Sequence, residues 1–194
     1  MLKRKLLILI CSFLFYNEVC AQAYLGVRFE YIRYQTESKS RILGTPSNVF
    51  EYDKPYKSDV GLVIPFTFSL VEDFSLSMRL GFVFGDLYAG PEYTVLAKYD
   101  LLNEIYLISG LNIHNNMEVG GHSKTGYSKT IPFLVIGVGH QLKSIGPIEF
   151  QFTHRLNDVQ YGRERGYAPM SNFKDIYYKA IWMIKLNLGL EWEL

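Results

Sequence analysis

From residue 178 to residue 194 every even position is apolar: Tyr178, Ala180, Trp182, Ile184, Leu186, Leu188, Leu190, Trp192 and Leu194. The odd positions hold Lys179, Lys185, Asn187, Gly189, Glu191 and Glu193, with Ile181 and Met183 as apolar exceptions. A helix would scatter these two classes around its circumference, whereas a strand separates them onto two faces. The pattern therefore predicts one long strand with a single apolar face.

The same alternation recurs upstream. Leu25, Val27, Phe29 and Tyr31 alternate with Gly26, Arg28 and Glu30, and the apolar residues of 60–70 share a face opposite Gly61, Thr67 and Ser69. Leu76, Met78, Leu80, Phe82 and Phe84 oppose Ser75, Ser77, Arg79, Gly81 and Gly85. Tyr93, Val95, Ala97, Tyr99 and Leu101 oppose Lys98 and Asp100, and Ile148, Phe150 and Phe152 oppose Glu149, Gln151, Thr153 and Arg155. With residues 104–114 and 130–142 the chain holds eight predicted strands, although parity within 130–142 stays ambiguous because Gly137 and Gly139 share a face with Phe133 and Val135.

The connections alternate between long and tight. Residues 35–57, 86–92, 115–129 and 157–176 are the long ones; 71–74, the step near 102–103 and 143–146 are tight. An up-and-down meander then collects the long loops at one end and the tight turns, with both termini, at the other. The fold class expected is all-β, an eight-stranded antiparallel up-and-down barrel.

Alternation alone does not say whether the apolar face points in or out. In a soluble barrel or sandwich it is the core; in an outer-membrane barrel it meets lipid and the polar face lines the lumen. Composition favours lipid: 48% of residues are hydrophobic and only 20% charged, against about 25% charged in an average soluble domain. Small residues at Gly26, Gly61, Gly81 and Gly189 sit among the polar positions, as a crowded narrow lumen requires. A formal charge of +1 leaves no broad basic surface for nucleic acid.

Export is the next expectation. Lys3, Arg4 and Lys5 precede the ten-residue apolar run Leu6 to Phe15, which is too short for a transmembrane helix and reads as a signal peptide over residues 1–21. Cleavage is placed after Ala21, with Ala23 as the second choice; a lipoprotein reading of Cys20 lacks a small residue just before the cysteine. Residues 22–194 form the expected barrel domain. They retain 17 basic and 18 acidic residues, and both cysteines, Cys11 and Cys20, are gone. Without disulfides, stability must come from packing and hydrogen bonds.

Asn187, Gly189, Trp192 and Leu194 are spaced like the C-terminal assembly signal of bacterial outer-membrane barrels, with Leu194 where a terminal Phe is commoner. Residues 22–194 resemble the small eight-stranded outer-membrane proteins of the OmpA/OmpX type, in particular the outer-membrane β-barrel domain proteins of Bacteroidota within the porin-like superfamily. The resemblance implies recognition by the barrel-assembly machinery, contact with outer-membrane lipid and lipopolysaccharide, a monomer, and no cofactor.

Little in the sequence points to chemistry. Arg28, Glu30, Arg79, Lys98, Asp100, Glu149, Arg155, Lys185 and Glu191 fall on the polar faces, and both signs occur, which predicts a lumenal network of ion pairs in place of an open pore. His114 and His122 bracket a loop containing Gly120 and Gly121 and read as solvated histidines, since no third ligand completes a metal pattern. His140 lies near a tight turn. Gly137-Val138-Gly139 lies inside a strand and is no phosphate loop. Residues 153–157 resemble the H-x-S-N segment of outer-membrane lipid A deacylases, with His154 and Asn157 in place and Glu164 as an orienting acid, but Leu156 stands at the nucleophile position. The expected reading is therefore a non-enzymatic outer-membrane protein without catalytic or metal-binding residues, with a rim hydrolase around His154 and a secreted soluble lipid-binding barrel as the alternatives. The long connections mix charges with tyrosines, Tyr52 and Tyr56 in 35–57 and Tyr161 and Tyr167 beside Arg163-Glu164-Arg165 in 157–176, and read as solvated extracellular loops whose partner is not specified.

Overall fold

A computed structural model describes residues 22–42, 50–102, 104–120, 123–142, 146–167 and 173–194. The expected leader and His122 lie outside the described residues. Eight long antiparallel strands carry the alternation: β1 (Ala23–Ile42), β3 (Tyr56–Val71), β4 (Phe74–Phe84), β5 (Gly90–Asp100), β6 (Ile105–Asn116), β8 (Lys129–Leu142), β9 (Gly146–Arg155) and β11 (Phe173–Glu193). Each pairs with the next, and β1 pairs with β11 from Tyr24 opposite Glu193 to Ile42 opposite Lys174, which closes the barrel.

Three short strands complete the sheet: β2 (Phe50–Asp53), β7 (Lys124–Gly126) and β10 (Gly162–Tyr167). They correct the expectation that residues 35–57, 115–129 and 157–176 are loops. Above Gln35, β1 leaves β3 and takes β2 as its neighbour; above Trp182, β11 leaves β9 and takes β10, which in turn pairs with β7. The seam strands thus continue beyond the barrel into a five-stranded lobe, β2-β1-β11-β10-β7. At the switch the Thr36 amide donates to the Pro55 carbonyl at 2.9 Å, which carries the ladder from one neighbour toward the other.

Parity is the second correction. Ile181 has no partner in the β1 ladder: Gln35 opposes Trp182, and Thr36 opposes Ala180. This bulge turns the two halves of β11 over with respect to each other. Below it Leu186, Leu188, Leu190 and Trp192 face outward; above it Tyr178 and Ala180 face the interior, and Met183 joins them from the odd set. The even-numbered apolar row is therefore shared between two faces. The ambiguous strand resolves in the same terms: in β8, Ile131, Phe133 and Val135 are buried, while Leu134, Ile136 and Val138 are exposed.

Outside, the barrel is apolar around its circumference. Phe29, Leu62, Leu80, Val95, Leu111, Ile136, Phe150 and Leu188 are each between 44% and 60% exposed. Aromatic rings bound this belt: Tyr31, Tyr56 and Trp182 toward the loop end, Tyr99 and Trp192 toward the end that carries the termini. Gln35 ties the loop-side girdle together, accepting from Trp182 Nε1 at 2.9 Å and donating to Tyr56 Oη at 3.3 Å.

Candidate functional site

The interior is built in layers by the inward positions of every strand. Nearest the termini, Thr67 donates to Ser77 at 3.0 Å, and Ser69 lies 3.4 Å from Ser75. Above them Glu149 is the hub of a buried cationic pair. Arg79 binds it in bidentate fashion at 2.6 and 2.8 Å, Arg28 Nη1 contacts it from β1, and Tyr106 and Gln151 donate to it at 2.9 and 2.8 Å. Arg28 Nη2 also reaches Glu191 at 2.5 Å.

Small residues make these contacts possible. A Cβ on Gly189 would lie 2.4 Å from Arg28 Cγ, and one on Gly139 would enter the Tyr106 ring at 2.1 Å. Both glycines stand where a side chain from a neighbouring strand crosses the backbone.

A second polar layer sits nearer the loops. Lys185 Nζ bridges Glu92 at 2.5 Å and Glu30 at 3.0 Å; Asn112 donates to Glu92 at 3.1 Å and to Thr94 at 2.6 Å. His114 Nδ1 lies 3.3 Å from Glu92, and its ring stacks on Tyr88 at 3.8 Å with 13° between planes. His114 is completely buried, which corrects the solvated-loop reading: it is an even-numbered residue of β6, and the even positions of β6 face inward. Around Lys185, Glu30 and Glu92 only about 10 Å³ of space remains, roughly the minimum for one water.

Toward the loop end the lumen becomes aromatic and aliphatic. Ile32, Tyr34, Val83, Leu87, Tyr88, Ile131, Phe133, Tyr161, Tyr178, Ala180 and Met183 form one buried cluster. Leu87 and Tyr88 come from the β4–β5 connection, which folds into the barrel. Asn116 fixes this plug: its Oδ1 accepts from the Ala89 amide at 3.0 Å, and its Nδ2 lies 3.1 Å from the Leu87 and Tyr161 carbonyls and 2.9 Å from that of Tyr127. Tyr161 is therefore a plug residue, which corrects its reading as part of a solvated loop. Asn116 gave no signal in the sequence, because an Asn ending a strand is ordinary and the backbone groups of Leu87, Ala89, Tyr127 and Tyr161 that it holds are distant along the chain.

The remaining predicted residues fall as follows. Lys98 and Asp100 lie 3.4 Å apart at the terminus-end mouth, with Lys98 Nζ 4.2 Å from the Tyr106 ring centroid. They help to line a vestibule of about 490 Å³ with Glu104, Glu191 and Glu193. Arg155, at the top of β9, pairs with Asp158 at 3.0 Å and lies 3.9 Å from Glu37. Asn187 and Gly189 face inward, Trp192 and Leu194 outward. His154 points outward between its ladder partners Leu134 and Trp182. Glu164 accepts from Tyr178 Oη at 3.0 Å, and Asn157 Nδ2 donates to the Thr130 carbonyl at 3.2 Å. These residues are not brought together as a hydrolytic site. Among the described residues no group of three His, Cys, Asp or Glu side chains could hold a metal.

With the closed wall and packed lumen established, the chain is comparable to solved structures. The outer membrane protein OprG from Pseudomonas aeruginosa superposes with a TM-score of 0.50 at 12% identity, covering 91% of this chain and 98% of OprG. The chain has the fold of this outer-membrane protein. Ail, the attachment invasion locus protein of Yersinia pestis, and the NanC porin are 11% and 13% identical over 87% and 86% of this chain and 99% and 100% of theirs, but at TM-scores of 0.33 they add nothing to that statement. No family model and no curated protein matches the sequence.

Proposed function

We propose that the protein is a non-enzymatic, monomeric, integral outer-membrane barrel with a side-chain-filled lumen, acting in envelope structure or surface interaction through its loop-end lobe. The observation that carries this reading is the inversion of polarity: the wall is apolar on its outside and holds Arg28, Arg79, Glu149, Lys185, Glu30 and Glu92 on its inside. In water such a belt would be an aggregation surface; in a bilayer it is the matching face, and aromatic residues collect at its two boundaries. A soluble lipid carrier needs the opposite arrangement, an apolar cavity within a polar wall.

The signal-like segment 1–21 supports export, and the likeness to OprG supports outer-membrane placement. Closer affiliation with the OmpA/OmpX-like barrels of Bacteroidota, and a role for Asn187, Gly189, Trp192 and Leu194 in recognition by the assembly machinery, rest on those C-terminal residues.

Fractionation of cells expressing the full chain tests the reading. The protein is expected in the outer-membrane fraction and, unboiled in detergent gels, to migrate differently from the boiled form. Recovery in the soluble periplasm, without heat-modifiable migration, would overturn it.

A further inference from the structure

The loop-end lobe carries its own pattern on the outward face. Strand register places Arg163, Tyr177, Lys39 and Tyr52 in one row across β10, β11, β1 and β2; the next row outward is Arg165, Asp175 and Arg41, and the row below is Lys179 and Glu37. Neighbouring strands lie about 4.8 Å apart and alternate residues about 6.6 Å apart. Five cations therefore occupy a patch roughly 10 by 13 Å.

Acids on the same face do not balance them. Asp175 is taken by Arg165 at 2.9 Å, and Asp158 by Lys179 at 2.6 Å and Arg155 at 3.0 Å. Lys39 lies over the Tyr52 ring, 5.9 Å from its centroid. Arg41 and Arg163 have no acidic partner among the described residues. Between the rows is a cleft of about 390 Å³ lined by Glu37, Lys39, Arg41, Tyr52, Tyr177 and Lys179, with Gln160 at its edge.

Height above the belt says what meets this cleft. The Gln35, Tyr56 and Trp182 girdle marks the loop-side limit of the apolar wall. At about 3.3 Å per residue and a tilt near 40°, Glu37 lies roughly 5 Å, Lys39 roughly 10 Å and Arg41 roughly 15 Å beyond it. Because the patch is on the outside of the wall, it faces along the membrane plane into the headgroup layer. We propose that it binds the phosphate groups of lipopolysaccharide in the outer leaflet, with the lysine and arginines pairing to phosphate oxygens and Tyr52 and Tyr177 packing on the sugars. This proposal rests on the outer-membrane reading above.

The test uses the full folded chain in lipid nanodiscs, with heat-modifiable migration as the control for folding. Probes are bisphosphorylated lipid A, its dephosphorylated form and inorganic phosphate. Bisphosphorylated lipid A is expected to bind most tightly, and the triple variant Lys39→Gln, Arg41→Gln, Arg163→Gln to bind it at least tenfold more weakly, given about fivefold per surface cation. Glu37→Gln, which removes the cleft's one carboxylate, is expected to strengthen binding about two- to fivefold. Equal affinity for the dephosphorylated lipid, an unchanged triple variant, or inorganic phosphate binding as tightly as the lipid would each overturn the site. A wild-type chain that fails to enter nanodiscs would instead overturn the outer-membrane reading, and the site with it.

Discussion

Glu149 is buried and holds two guanidiniums and two neutral donors, so its charge is matched by these neighbours. Removing one member of such a buried group leaves the others uncompensated, at a cost of about 3–5 kcal/mol. Glu149→Gln is accordingly expected to lower the stability of the folded barrel by that order, read as an earlier urea midpoint in detergent. Replacing Arg28, Arg79, Glu149 and Glu191 together with apolar residues of similar volume is expected to recover most of the loss, because each charge of the group is then removed with its partner. The charges themselves were legible in the sequence as polar positions on alternating faces. Their partners were not: Arg79 and Glu149 are 70 residues apart, and only the barrel's closure brings β4 and β9 to a common interior.

At the scale of elements, the eight strands followed from a two-residue period, and the long and tight connections segregated as the period implied. What the period could not give was the change of face within β11. Ile181 and Met183 interrupt the polar row, but an isolated apolar residue has no unique meaning until the β1 register shows Ile181 unpaired. Deleting Ile181 should remove the bulge and leave Trp182 outward and Ala180 and Tyr178 inward in uninterrupted alternation, as their partners Gln35, Thr36 and Ser38 require. The expected result is a lobe that stays folded, seen as native protease resistance across residues 36–53 and 156–180; rapid proteolysis of those residues with the remaining wall protected would contradict the reading of Ile181 as an inserted residue. The short strands β2, β7 and β10 escaped the sequence because they are three to six residues long, too short for a two-residue period to show, and are chosen by the ladder available to them.

The lobe also responds to pH. Hydrogen bonds from Lys174 to Glu51 and from Lys179 to Asp158 hold both carboxyls below their usual range, as Lys124 does for Asp86. Since these groups are depressed in the folded state, their contribution is present above the ordinary carboxylate range and is lost as pH falls through the lowered values. Between about pH 7 and about pH 3, amide protection in the lobe, corrected for intrinsic exchange, is expected to fall before that of the barrel wall. Simultaneous loss would show that the lobe and the wall open as one unit.

For the molecule as a whole, the interior decides against conduction. Polar layers occupy the terminus-end half, and the Tyr34, Tyr88 and Tyr161 plug fills the loop-end half. Reconstituted in planar bilayers, the protein is expected to give no discrete current steps; ohmic steps would require a route that the packed lumen does not offer. The β1–β11 seam has a consequence of another kind. It joins the two ends of the chain and is the most sequence-distant ladder in the sheet, so it has the largest loop-closure entropy to overcome. Neighbouring wall strands can pair as hairpins, but the lobe cannot form until the first and last strands have met. The lobe's outer face therefore comes into being only with a finished barrel, and a cell that sensed this surface would be counting completed molecules.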